Sequence, residues 1–366
     1  MAAAKPSTPP NASDLPTLPE PGERVGRLVL RRRIGKGAAG VVFEAEDSGG
    51  KGLFAVKFVN PELCKDHEFV QRFQREVKAA TKVAHHNIVA VYACGEHRGI
   101  PFLVMELASG GTVQQRMRAT KRLPWQQALT LTAQAARGLA AVHAAGMIHR
   151  DIKPANIMLD GAGNAKLADF GMVKSTIGED GAALTAMGQV VGTPQYMSPE
   201  QCRAETLDHR SDIYSLGATL YCLLTGESPY GKAGSAVAMM QAHCITPTPD
   251  PRRFDPEIPE PCVWVLNHAM AKDRDERPQT ADDLADELEA AAEGRFPDSA
   301  FAGEAEPHAM GGAMAGGAMD APAGGRAPVR RKAGAANQSM QTAILVAGAV
   351  AGALAVLVIL LLLMRK

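Results

Sequence analysis

Residues 149–156 read His149-Arg150-Asp151-Ile152-Lys153-Pro154-Ala155-Asn156, and Asp169-Phe170-Gly171 follows downstream. These residue types suit transfer of a phosphoryl group, a reaction that asks a protein for placed charge rather than covalent chemistry. One carboxylate must take the proton of an attacking hydroxyl, and Asp151 is that candidate. Another must hold a divalent cation, Mg²⁺ or Mn²⁺, against the phosphates. Asp169 fits that task, with the amide oxygen of Asn156 completing the metal set. Lys153, two places after the base, can neutralise the group in transfer. Most aspartates are plain surface turn residues. A whole loop matching in register, with a second motif downstream, outweighs that reading.

Such side chains need elements to position them, and the chain supplies candidates in order. Arg27–Arg31 and Val41–Ala45 alternate as strands. Between and into them run Ile34, Gly35, Lys36, Gly37, Ala38, Ala39, Gly40, Val41 and Val42, the pattern G-x-G-x-x-G-x-V. Glycines let a backbone approach phosphate closely and aim N–H groups at it. A dinucleotide-binding fold also uses G-x-G-x-x-G, but would open a helix after the third glycine. Here a β-branched and aromatic strand follows instead. Leu53–Val59 forms a third strand carrying Lys57, a cation that needs a partner in so apolar a setting. The helical spacing of 68–83 offers Glu76 in mid-helix, with Glu68 as the competing partner at the helix start.

Together these segments resemble the eukaryotic-like serine/threonine protein kinases of the bacterial, membrane-anchored type. The resemblance covers about residues 25–292 and rests on G-x-G-x-x-G-x-V, Ala55-Val56-Lys57, the 149–156 loop, Asp169-Phe170-Gly171 and Gly192-Thr193-Pro194-Gln195-Tyr196-Met197-Ser198-Pro199-Glu200. Lys153 separates it from the tyrosine kinases. Ser198 stands where the family usually has Ala. The resemblance implies an α+β, two-lobed kinase fold, with a β-rich lobe over about 27–105 and a helical lobe over about 108–292. It implies ATP as cosubstrate, with Lys57 on the α- and β-phosphates in an ion pair with Glu76. It makes Met105 a gatekeeper and places the backbone at Glu106 and Leu107 against adenine, between apolar walls from Ile34, Val42, Ala55 and Met158. It pairs Arg277 with Glu200, gives Asp212 the catalytic-loop backbone, and matches Arg150 to a phosphate on the loop after Asp169. Ser175, Thr176, Thr185 and Thr193 lie in that loop; Thr185 is the expected site, while Thr193 is expected to meet Asp151. The implied partners are proteins bearing Ser or Thr. A membrane-tethered pseudokinase scaffold, binding nucleotide or partners without turnover, is the contrasting reading.

Composition bounds the rest. The 366 residues carry 39 basic and 39 acidic side chains, so nothing in the net charge favours nucleic acid. Six cysteines are scattered without a C-x-x-C pair, which points to a reduced compartment and no structural zinc. Residues 1–24 are Pro-, Ser- and Ala-rich and read as a disordered leader. Residues 293–342 shift to Ala, Gly, Pro and Met, a flexible tether. Residues 343–364 are uncharged and Leu- and Val-rich, and as a helix would span about 33 Å, enough for one pass through a bilayer. Arg326, Arg330, Arg331 and Lys332 precede that span, in line with a cytoplasmic side there, although Arg365-Lys366 beyond it weakens the asymmetry; the need for ATP puts the kinase inside, at a bacterial cell membrane. Gly348 and Gly352 form a G-x-x-x-G step, so a homodimer through this face is a further expectation.

Overall fold

The computed structural model describes residues 16–50, 52–169 and 194–301. The loop sites at 175–193, most of the tether and the expected span at 343–364 lie outside them. The chain divides into two units at Ala305, and the described residues all belong to the first.

Six strands form one antiparallel sheet: β1 (Arg24–Val25), β2 (Leu28–Gly37), β3 (Gly40–Asp47), β4 (Leu53–Val59), β5 (Val91–His97) and β6 (Ile100–Glu106). Their order is β1-β2-β3-β4-β6-β5. Burial alternates along β3, with Val41, Phe43 and Ala45 inward, as a strand with one covered face requires. Helix α1 (His67–Ala80) is capped by Asp66, whose carboxylate accepts from Glu68 and Phe69 N–H. Phe69, Phe73, Val77 and Ala80 recur at helical spacing and are buried.

The second lobe is helical. Helices α2 (Val113–Thr120) and α3 (Trp125–Ala144) lead to the short antiparallel pair β7 (Ile157–Leu159) and β8 (Ala165–Leu167). Helices α4 (Pro199–Cys202), α5 (His209–Thr225), α6 (Ala236–Ile245), α7 (Glu260–Ala269) and α8 (Ala281–Ala292) follow. From Ser211 to Thr225 every residue of α5 is buried, so it is the lobe's central post rather than an amphipathic surface helix. Gly226, at φ 80°, closes it in the left-handed conformation; a Cβ there would come 2.4 Å from the Lys121 carbonyl oxygen.

Three expectations need correction. Residues 16–24 of the expected leader are packed: Leu18 sits on the sheet core, and Gly22 N–H donates to Leu30 O at 2.7 Å. The glycine-rich segment is mostly strand, with only Ala38 and Ala39 forming its turn, because β2 continues through Gly37. The first residues of the expected tether lie against α8, where Ser299 Oγ donates to Glu287 Oε1 at 2.7 Å. Among the described residues no helix is long and apolar enough to cross a membrane.

Candidate active site

The loop between α3 and β7 is held from below by Asp212 of α5. Its carboxylate, 1% exposed, accepts from the backbone N–H of His149 at 2.7 Å and of Arg150 at 2.8 Å, and from His143 Nε2 at 2.9 Å. His149 is fully buried, and burial pushes its pKa down against the pull of Asp212 and Asp151. Its Nδ1 accepts from Asp151 N–H at 3.3 Å, which assigns the ring proton to Nε2, donating to Ala168 O at 3.0 Å. One neutral histidine thus ties the residue before Asp169 to the strand of chain that carries Asp151. Arg150 and Asp169 themselves adopt left-handed φ values of 65° and 60°. Such backbone costs energy and persists where surrounding bonds over-determine it.

Within that frame the expected catalytic groups meet. Lys153 Nζ donates to Asp151 Oδ2 at 2.8 Å. Asn156 Nδ2 donates to the same oxygen at 3.0 Å and to Asp151 O at 2.8 Å. Since the amide nitrogen makes both bonds, Asn156 Oδ1 is the atom left to offer a cation. A carboxylate of Asp169 and one amide oxygen are hard donors that suit Mg²⁺, which keeps waters and binds largely through substrate phosphates. Among the described residues no group of three His, Cys, Asp or Glu side chains could hold a metal by itself.

Lys57 departs from expectation. Its ion pair, at 2.6 Å, is with Asp169 Oδ1, and no Lys57–Glu76 pair occurs among the described residues. Glu76 lies instead in the field of Arg150, Arg72 and Arg75, which oppose the rise in its pKa that burial causes. The Arg150 Nε is buried and makes no hydrogen bond among the described residues.

Val42, Ala55, Met105, Leu107 and Met158 join one apolar cluster, whereas Ile34 is 39% exposed. The Glu106 N–H donates to Ala90 O at 2.9 Å, so an adenine contact at that residue falls to its carbonyl. In the glycine-rich segment only Gly40 is demanded by packing: a Cβ there would lie 1.9 Å from Phe58 O. Gly35 has ordinary room and Gly37 open space.

Behind the site, Glu200 and Arg277 form a buried two-bond pair at 2.8 and 2.9 Å. Burial alone would raise the Glu200 carboxyl, but Arg277 and Ser211 hold it down at about 2. Gln201 Nε2 donates to Arg150 O at 3.2 Å, a link to the catalytic loop that no sequence pattern marks. The role of Asn87, whose Nδ2 donates to Ala165 O at 2.8 Å, was likewise hidden in a turn.

A family model described as "Protein kinase domain" matches residues 28–288. A probable serine/threonine-protein kinase of Streptomyces coelicolor is 38% identical over 304 residues, covering 82% of this chain and 44% of that protein. The chain therefore spans less than half the length of that relative. Serine/threonine-protein kinase PknA of Mycobacterium tuberculosis is 33% identical over 362 residues, covering 93% of this chain and 81% of PknA. The crystal structure of the M. tuberculosis PknI kinase domain superposes with a TM-score of 0.60 at 26% identity, covering 74% of this chain and 99% of that one. With two lobes, the catalytic loop and this breadth of match in agreement, the chain belongs to the protein kinase domain family.

Proposed function

We propose that the chain is a serine/threonine protein kinase that transfers the γ-phosphate of ATP to hydroxyls on proteins. The observation that carries this reading is the convergence of Lys153 and Asn156 on one oxygen of Asp151. Two donors on Oδ2 fix the carboxylate in place as the general base for the substrate hydroxyl's proton. Lys153, already beside the base, stabilises charge on the group in transfer. Lys57 positions the α- and β-phosphates, and the adenine lies among Val42, Ala55 and Met158. Gly35 and Gly37, which packing does not require, give phosphates close access to the backbone. A bound Mg²⁺, held by Asp169 and Asn156, supplies charge neutralisation at the phosphates.

The Lys57–Asp169 pair has to part for turnover, freeing Asp169 for the cation and Lys57 for Glu76. Arg150, with its Nε buried and unbonded among the described residues, is the natural receiver of a phosphate on the 170–193 loop. Autophosphorylation at Thr185 would draw it away from Glu76.

The chain's C-terminal part is read as an anchor: a flexible tether, then one membrane-spanning helix over 343–364 with the kinase on the cytoplasmic side of a bacterial membrane. The apolar run itself supports this, together with the bacterial source of the relatives. Labelled ATP decides the central point. Purified chain should incorporate phosphate into a protein substrate on Ser or Thr, and Asp151→Asn should not. Nucleotide binding with no incorporation by the wild type would instead establish an inactive scaffold.

A further inference from the structure

Two cysteines sit on facing elements beside the support of the catalytic loop. Cys202 ends α4, and Cys244 lies in the last turn of α6. The Cys244 thiol donates to the Pro199 carbonyl oxygen at 3.7 Å, which places its sulfur against the first turn of α4. Cys202 follows three residues later, the spacing that brings a side chain back to the same helix face. Cys202 also packs on Met197 and Met240, and Arg203 Nη2 donates to Cys244 O at 3.3 Å, so the two elements are stitched at this point. Both cysteines are partly rather than fully buried, within reach of a small oxidant. Burial raises the Cys202 thiol to about 12, and Cys244 is the neighbour that adds most to this. Lys272, between the rings of Tyr214 and Tyr230 at 5.3 and 5.0 Å, borders the pair. Burial and Arg277 push its ammonium down to about 8, and the two cysteines pull it back up.

We propose that Cys202 and Cys244 form a reversible disulfide in response to peroxide, pinning α4 to α6 and lowering phosphotransfer. The disulfide stands independently of the catalytic reading; only its effect on activity rests on it. The chemistry is the same from either thiol, here with Cys244 as the first to react. Its sulfur lone pair forms an S–O bond as the peroxide O–O bond breaks, and the departing hydroxide takes a proton, leaving a sulfenic acid and one water. The Cys202 sulfur then displaces that hydroxyl, an S–S bond replaces the S–O bond, and the thiol proton leaves in a second water. The two thiols give up two electrons, and peroxide accepts them.

An S–S bond is about 2.05 Å long, shorter than any contact between free thiols, so closing it draws α4 toward α6. That helix carries Glu200, paired to Arg277, and Gln201, which holds Arg150 O at 3.2 Å. The pull is therefore felt one residue from Asp151. In a reducing compartment such a bond is transient, which suits a sensor rather than a structural clamp.

The test treats the full chain with hydrogen peroxide, blocks remaining thiols, digests without reductant and reads peptides by mass. The expected result is a linked pair joining 202 to 244, loss of two titratable thiols, and recovery of both with dithiothreitol. Phosphorylation of a peptide substrate should fall and recover in parallel. Cys244→Ser should retain basal activity, form no link and resist peroxide. Absence of the linked pair under conditions that already oxidise the exposed Cys94 overturns the proposal, and so does a link that leaves phosphorylation unchanged. Because the link is read by mass, a chain lacking kinase activity would still report on it.

Discussion

Lys57 shows how much a single side chain can hold back from sequence. Its presence in an apolar strand announces a carboxylate partner, but two carboxylates compete, and in this structure Asp169 has it at 2.6 Å. No pattern of spacing can choose between partners that exchange during a reaction cycle. If Glu76 is the partner during turnover, Glu76→Gln should lower kcat/KM at least about tenfold, a transition-state loss of ~1.4 kcal/mol or more, with nucleotide-free stability unchanged. Lys57→Met and Asp169→Asn should each remove more than about nine-tenths of kcat/KM while circular dichroism stays that of the wild type. A variant that keeps its activity in a steady-state phosphorylation assay would cost that residue its assigned role. By contrast the meeting of Asp151, Lys153 and Asn156 was legible at once, because it needs only a local loop, and a local loop is what a motif encodes.

Elements were legible where their periodicity was strong. The apolar stripe of α1 and the third strand at Leu53–Val59 lie where the residues indicate. Strand β5 was not, since Tyr92–Glu96 are exposed and lack the alternation that marks a half-buried strand. The glycine-rich segment separates fold from function more finely. Gly40→Ala should damage the β3–β4 pairing, since its Cβ would overlap Phe58 O, and should lower the melting temperature. Gly37→Ala meets open space, so stability should hold while the KM for ATP rises. Thermal unfolding beside ATP titration distinguishes the two. Farther back, Glu200→Gln leaves Arg277 charged and buried without its partner and should cost roughly 3–5 kcal/mol of stability. The pair also sets an acid limit. Glu200 sits at about 2 against an ordinary 4.5, so its contribution is complete above pH 4.5 and fades as pH falls through the folded value. Denaturant midpoints measured from pH 6 down to pH 2 should show that loss in the wild type and not in Glu200→Gln.

At the scale of the whole chain, composition carries what motifs do not. An Ala-, Gly-, Pro- and Met-rich stretch separates the kinase from the uncharged run expected to anchor it, and deleting 343–366 should yield a soluble enzyme of unchanged kcat/KM on a peptide. Fractionation of cells expressing each form checks it: the full chain should pellet with membranes and the deletion should not. If Gly348 and Gly352 bring two helices together, replacing both with Ile should slow loop phosphorylation in bilayers, because tethering raises the effective concentration of one kinase for another toward the millimolar range. The Ile double variant's activity on a soluble peptide in detergent should be unchanged.

The carboxylate of Asp212 joins the amides of His149 and Arg150 to α5, whose residues from Ser211 to Thr225 are all buried. A buried acceptor on a buried helix opposes local opening of the loop, so these two amides should exchange with solvent deuterium more slowly than those of the exposed turns. Their protection would report, at the chemical centre itself, how firmly the loop is held to α5. Catalytic competence should then vanish in one step with the lobe on heating, with no population of half-folded enzyme that still turns over slowly.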